Sequence, residues 1–153
     1  LPNAAVAAID ISKEALNIAR KNANTHNAAV DLLLVDMLNN EEIGTLPTFD
    51  IIVSNPPYIP VRDISDMRDN VLHYEPHTAL FVPDEDPLLF YKAVSKFSAT
   101  HLSAKGKIYV EIHEAMGEAV KKIFLNDGFT DCCIKKDMQG KDRMVSGARM
   151  NGE

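Results

Sequence analysis

In the middle of the chain an apolar run, Phe49-Asp50-Ile51-Ile52-Val53-Ser54, stops abruptly at Asn55-Pro56-Pro57-Tyr58-Ile59-Pro60. Ile51, Ile52 and Val53 are β-branched and consecutive, the pattern of a strand covered on both faces in an α/β sheet. Neither Pro56 nor Pro57 has an N–H for a ladder, and each fixes its own φ, so the strand ends at Ser54 or Asn55. Ligands of open α/β sheets bind beyond the carboxyl ends of the strands, which is where Asn55 and Tyr58 then stand.

That placement suits one kind of chemistry. A planar, conjugated nitrogen, in a carboxamide or an exocyclic base amine, attacks poorly because its lone pair is delocalised. An enzyme alkylating it must grip both N–H bonds and aim the nitrogen. The Asn55 side-chain oxygen can accept one hydrogen bond, and the carbonyl of Pro56, pointed by the rigid Pro56-Pro57 unit, can accept the other. Tyr58 can stack on the flat group. These acceptors act most strongly in the transition state, where the nitrogen gains positive character. The same four residues also read as ordinary turn punctuation; their position directly after an apolar strand headed by Asp50 favours the chemical reading.

Residues 50–58 resemble the signature motif of S-adenosylmethionine-dependent amino-methyltransferases, shared by enzymes acting on DNA bases and on protein glutamine. Tyr74-Glu75-Pro76 with Ala79-Leu80, then Glu111-Ile112 and residues 137–143 with Arg143, resemble the peptide-chain-release-factor glutamine N5-methyltransferase family in particular. The resemblance runs in the right order over nearly the whole chain. It implies a catalytic set of Asn55, Pro56, Pro57 and Tyr58, S-adenosylmethionine as cofactor, and a glutamine side chain of a release factor as methyl acceptor. Cofactor contacts then fall to Asp10, Ile11, Asp36, Met37 and Asn55, and a substrate lid to Glu75 and Pro76.

The residues support these assignments to different degrees. Residues 4–9 read as a buried strand with Asp10 at its tip, where a carboxylate can accept hydrogen bonds from two vicinal ribose hydroxyls. Asp10 also reads as a turn residue, although Ser12 already suits the helix N-cap. Residues 13–24 read as a helix with Ala15, Leu16, Ile18, Ala19 and Ala23 inward. Residues 30–35 are the next buried strand, ending at Asp36, which can take an adenine amino group or cap residues 37–43. Residues 59–87 carry four prolines and little periodicity, long for a plain connection and suited to a lid; Glu75 there also reads as a surface acid. His73 and His77 flank it without a third residue at metal spacing, so no metal site is expected.

Residues 87–102 read as a helix with Leu88, Leu89, Tyr91, Ala93, Val94 and Phe97 inward. A turn at 103–106 leads to a strand at 107–112 with Glu111 and His113 at its tip. A helix over 114–126 buries Met116, Ala119, Val120, Ile123 and Phe124, with Gly128 as its C-terminal cap. Two strands, 129–136 and 143–149, flank a hairpin loop containing Gly140. The expected fold is α/β: a Rossmann-like methyltransferase sheet, mostly parallel, closed by a terminal antiparallel hairpin.

The family's glycine-rich cofactor turn has no counterpart. The chain contains no Gly-x-Gly, and Gly44 alone precedes Val53. Residues 1–153 therefore read as part of a methyltransferase domain, without its first strand-turn-helix unit or the recruiting domain that precedes it. A chain so cut is expected to be inactive alone and, with an unpaired sheet edge, to rearrange, to self-associate through that edge or to have limited stability. A non-catalytic remnant and a base amino-methyltransferase stand as rival readings.

Composition weighs on the rivals. At 153 residues the chain suits one domain, burying roughly 68–70% of its unfolded surface. A formal charge of −6 with acids and bases interleaved argues against an extended nucleic-acid surface. Adjacent Cys132 and Cys133 suit a reducing cytoplasm better than a disulfide framework, and no apolar run approaches the ~20 residues of a membrane helix.

Overall fold

Ser12 shows how local sequence sets the first element. Its extended backbone (φ −92°, ψ 116°) and its hydroxyl, which accepts from Ala15 N at 3.2 Å, start helix α1, Lys13–Thr25. The computed structural model describes residues 3–66 and 76–149. Its chain divides into two compact units, Leu1–Leu46 and Pro47–Glu153.

The first unit holds strand β1 (Ala7–Asp10), α1, strand β2 (Asp31–Leu34) and a one-turn helix α2 (Asn40–Ile43). β1 and β2 pair in parallel, Ala7 opposite Asp31 and Asp10 opposite Leu34, as a βαβ unit requires. Three expectations fail here. The strands are apolar but not buried: Ala7 and Ala8 are exposed, and so are Leu33 and Leu34. On α1 only Leu16 is buried, while Ile18 stands 60% exposed, because it falls outside the row that Ala15, Ala19 and Ala23 make with the sheet side. Asp36 does not cap α2; Asn39 does, through its side-chain oxygen to Glu41 N and Glu42 N.

The second unit is built on a four-stranded sheet in the order β3-β6-β8-β7, with β3 Phe49–Ser54, β6 Leu102–Glu111, β7 Phe129–Lys136 and β8 Asp142–Arg149. β3 and β6 are parallel, β8 runs antiparallel to β6, and β7 antiparallel to β8. Between β3 and β6 lie a short parallel pair, β4 (Ile59–Pro60) with β5 (Phe81–Val82), a 3₁₀ turn at Val61–Asp66 and a one-turn helix α3 (His77–Leu80). The stretch expected to be a featureless lid is thus anchored at both ends, and Arg62 N donates to the Asp84 carboxylate across its base at 2.9 Å. Glu75 lies outside the described residues.

Two longer helices cover this sheet. α4 (Leu89–His101) buries Tyr91, Val94 and Phe97, and α5 (Gly117–Asn126) packs Val120 and Phe124 on β7 and β8. They meet Ile108, Val110, Phe129 and Val145, all at 3% exposure or less, which form the core. α5 starts three residues later than the apolar pattern implies, because 113–116 form a turn in which Met116 N bonds the His113 carbonyl and His113 Nδ1 accepts from Ala115 N. The expected turn at 103–106 is a bulge inside β6: Phe49 pairs with Leu102, and Ile51 then pairs with Lys107.

β3 corrects a central expectation. Only Ile52 of its β-branched trio is half-buried; Ile51 is 59% and Val53 74% exposed. Alternation explains it: side chains at 51 and 53 point to the face opposite Ile52. Among the described residues β3 is hydrogen-bonded only to β6, and β1 only to β2.

Candidate active site

The carboxyl ends of β3 and β6 lie side by side, since Ser54 pairs with Val110. Asn55 leaves β3 exposed, Pro56 is buried beneath it, and Pro57 and Tyr58 are half-buried. A buried proline with fixed φ and a half-buried aromatic hold the exposed amide between the strand and β4. The Tyr58 hydroxyl donates to Glu111 Oε1 at 3.2 Å, joining the loop to the last residue of β6.

Around this bond the structure gathers groups from three further segments. The Tyr58 ring meets His113 edge-on, with centroids 6.1 Å apart. The buried Tyr91 of α4 accepts a hydrogen bond from His113 N at 3.2 Å. Arg143 is the second residue of β8, and its carbonyl accepts from Ile112 N at 3.0 Å. Its guanidinium directs hydrogen bonds to Asp137 Oδ2, at 3.3 and 3.4 Å, and also faces Tyr58 and Glu111.

The electrostatics follow from this packing. Burial, then the Glu111 charge and its hydrogen bond, push the Tyr58 phenol above its ordinary pKa, with Arg143 opposing. Burial pushes Tyr91 further up. Both therefore stay neutral hydroxyls. Asp137, which accepts from Lys141 N and Gln139 N in its loop and from Arg143, is held below the usual carboxylate range.

In the first unit Asp10 and Asp36 stand at the carboxyl ends of neighbouring strands, with Val35 N donating to the Asp10 carbonyl at 3.1 Å. Each carboxylate also serves its own turn: Asp10 Oδ1 accepts from Ser12 N at 2.7 Å, and Asp36 Oδ1 from Leu38 N at 2.9 Å. The turn reading of Asp10 thus holds alongside any other role, and in each residue the turn bond uses Oδ1. Ile11, 62% exposed, and half-buried Met37 adjoin them. Pro76 is the exposed residue before α3. Among the described residues no cluster of His, Cys, Asp and Glu could hold a metal, and no helix is long and apolar enough to cross a membrane.

A family model for the methyltransferase small domain matches residues 1–73. The chain is 41% identical over 145 residues, 95% of its length, to a release factor glutamine methyltransferase of Flavobacterium psychrophilum. Over most of its length the chain is similar, at 41–43% identity, to proteins named release factor glutamine methyltransferase. It spans about half the length of the curated relatives it matches, 50% in that case. Its fold is shared with a methyltransferase from Pyrococcus furiosus (TM-score 0.65, 19% identity, 97% of this chain and 64% of that one). It is shared too with a release-factor-specific protein-(glutamine-N5) methyltransferase from Alicyclobacillus acidocaldarius (TM-score 0.53, 19% identity, 95% and 79%). The fold is thus the Rossmann-like methyltransferase fold expected from the sequence.

The sequence marks Glu111 by its place at a strand tip and by family resemblance, Asp137 and Arg143 by family resemblance, and Tyr91 as a core residue.

Proposed function

We propose that the intact protein transfers a methyl group from S-adenosylmethionine to the side-chain amide nitrogen of a glutamine in a peptide chain release factor. The carrying observation is an exposed Asn55 on a loop whose next residue, Pro56, is buried and whose Tyr58 is hydrogen-bonded to Glu111. That arrangement supports two fixed acceptors for two amide N–H bonds, from the Asn55 side chain and the Pro56 carbonyl. Pro57 keeps the Pro56 carbonyl in place, and the Tyr58 ring offers a flat surface for the amide.

The residues at the tips of β1 and β2 fit the cofactor: the carboxylates of exposed Asp10 and half-buried Asp36 suit hydroxyl and amino donors, and exposed Ile11 with Met37 suits a flat apolar base. When bound, S-adenosylmethionine supplies an electrophilic methyl. The chain's own residues then do the orienting. Acceptors on both N–H bonds grow stronger as the nitrogen becomes positive, so they lower the barrier rather than merely hold the substrate. No strong base is needed before the bond forms, because the amide proton becomes acidic only afterwards.

The test is methyl transfer by the intact protein, with labelled cofactor, to a release-factor peptide centred on glutamine. Asn55→Ala is expected to lower kcat by about 10²–10³-fold, the scale for losing one preorganised partner of developing charge, with the circular dichroism unchanged. Undiminished turnover in Asn55→Ala, or wild-type turnover on duplex DNA in place of the peptide, overturns the reading.

A further inference from the structure

We propose that Glu111 and Arg143 are positioning residues for the methyl-acceptor loop, fixing Tyr58 and through it Asn55 and Pro56, so that the β7–β8 hairpin is a working part of the site. The inference rests on the amide-binding role given to that loop above.

Three observations carry it. Tyr58 hydrogen-bonds a residue 53 positions away in sequence, at the end of a different strand, so the bond ties the loop to the sheet and not to its own neighbours. Arg143 is brought beside it by backbone pairing, Ile112 N to the Arg143 carbonyl, in the ladder that sets Glu111 opposite Met144. Asp137 then divides its carboxylate. Oδ1 accepts from Gln139 N at 2.9 Å and Lys141 N at 3.1 Å, shaping the hairpin turn, and Oδ2 holds Arg143. A turn that existed only to reverse the chain has no use for the second arm.

The chemistry gives this arrangement a purpose. An acceptor loop is useful only if its oxygens hold position when the nitrogen reacts, and misplacement by about 1 Å can cost on the order of 10²-fold in rate. Proline rigidity fixes the loop internally, but a rigid loop still needs an anchor at its far end. The Tyr58 hydroxyl supplies it, with Glu111 as acceptor and Arg143, itself held by Asp137, beside the end of that strand.

The experiment compares the intact wild-type protein with Glu111→Ala, Glu111→Gln, Tyr58→Phe and the double variant Glu111→Ala/Tyr58→Phe. Methyl transfer to the glutamine peptide is measured alongside S-adenosylhomocysteine affinity. Tyrosine-labelled NMR reports the order of the Tyr58 ring in the variants that retain it. Glu111→Ala and Tyr58→Phe should each lower kcat/KM roughly tenfold, the scale of one lost hydrogen bond. The double variant should lose no more than either, since both remove the same bond. Glu111→Gln, whose amide oxygen still accepts, should recover most of the activity, and cofactor affinity should not move. Additive losses in the double variant overturn the proposal. So does an equally ordered Tyr58 ring in Glu111→Ala, and that reading stands even if no glutamine peptide is methylated, an outcome that would sink the functional reading alone.

Discussion

Tyr58 is where sequence and structure give complementary information. The Asn-Pro-Pro-Tyr order, read alone, places an amide, a rigid carbonyl and a ring after a strand. It cannot say what receives the phenolic proton, because Glu111 reaches that hydroxyl only through the β3–β6 pairing. The pKa of Tyr58 reports this contact. Burial raises it first, and Glu111 adds to the rise through its charge and its hydrogen bond. Replacing Glu111 with glutamine removes the charge, so Tyr58 should ionise at lower pH than in the parent, as seen by ultraviolet difference titration against Tyr58→Phe. An unchanged or higher transition would mean that Glu111 does not face the phenol in solution. Tyr91 has the same sign with a larger rise. Its native pKa lies above the unfolded value of ~10, so its contribution to stability is complete below that pH and is lost as pH climbs through the native value.

Local chemistry made most elements legible. The Ser12 cap, the helix over 13–25, the strand over 49–54 and the terminal hairpin follow from capping, periodicity and turn residues, all encoded within a few positions. Burial was less legible, because it depends on what lies over a face. Ile51 and Val53 carry the apolar pattern of a covered strand yet stand exposed. Glycines separate the two kinds of constraint experimentally. Gly128 has φ +89° and nothing within 4 Å of where a Cβ would sit, so alanine there costs backbone strain alone, about 1–2 kcal/mol. Gly147 has ordinary φ, but a Cβ would come within 3.2 Å of Phe129 Cβ and 3.3 Å of Phe124 Cδ2. Alanine there must push α5 off β8, at roughly 1–3 kcal/mol for overpacking. Urea unfolding of both variants checks this. A second substitution that trims the neighbouring ring, Phe124→Leu, gives the methyl room and should recover part of the Gly147→Ala loss while leaving the Gly128→Ala loss unchanged.

The whole chain divides its apolar burial unevenly. Among the described residues of Leu1–Leu46 the buried hydrophobic ones are Leu16 and Ile43, whereas Pro47–Glu153 buries Tyr91, Val94, Phe97, Ile108, Val110, Val120, Phe124 and Val145 among others. Hydrophobic stabilisation scales with the area removed from water, so the smaller unit has much less to set against its chain entropy. Its two-stranded sheet adds little, since isolated pairs of strands are marginal in water. Opening of the first unit should therefore require less free energy than global unfolding. Native-state hydrogen exchange reads this directly: amides of α1 and β2 should exchange through a low-energy opening, while those of β6 and β8 should exchange only with global unfolding. Addition of S-adenosylhomocysteine to the intact protein should slow exchange in β1 and β2 selectively, if Asp10 and Asp36 hold the cofactor, because a ligand stabilises the segment that must be ordered to bind it. Equal protection of α1 and β6 without ligand would mean that the first unit draws its stability from contacts beyond its own small core.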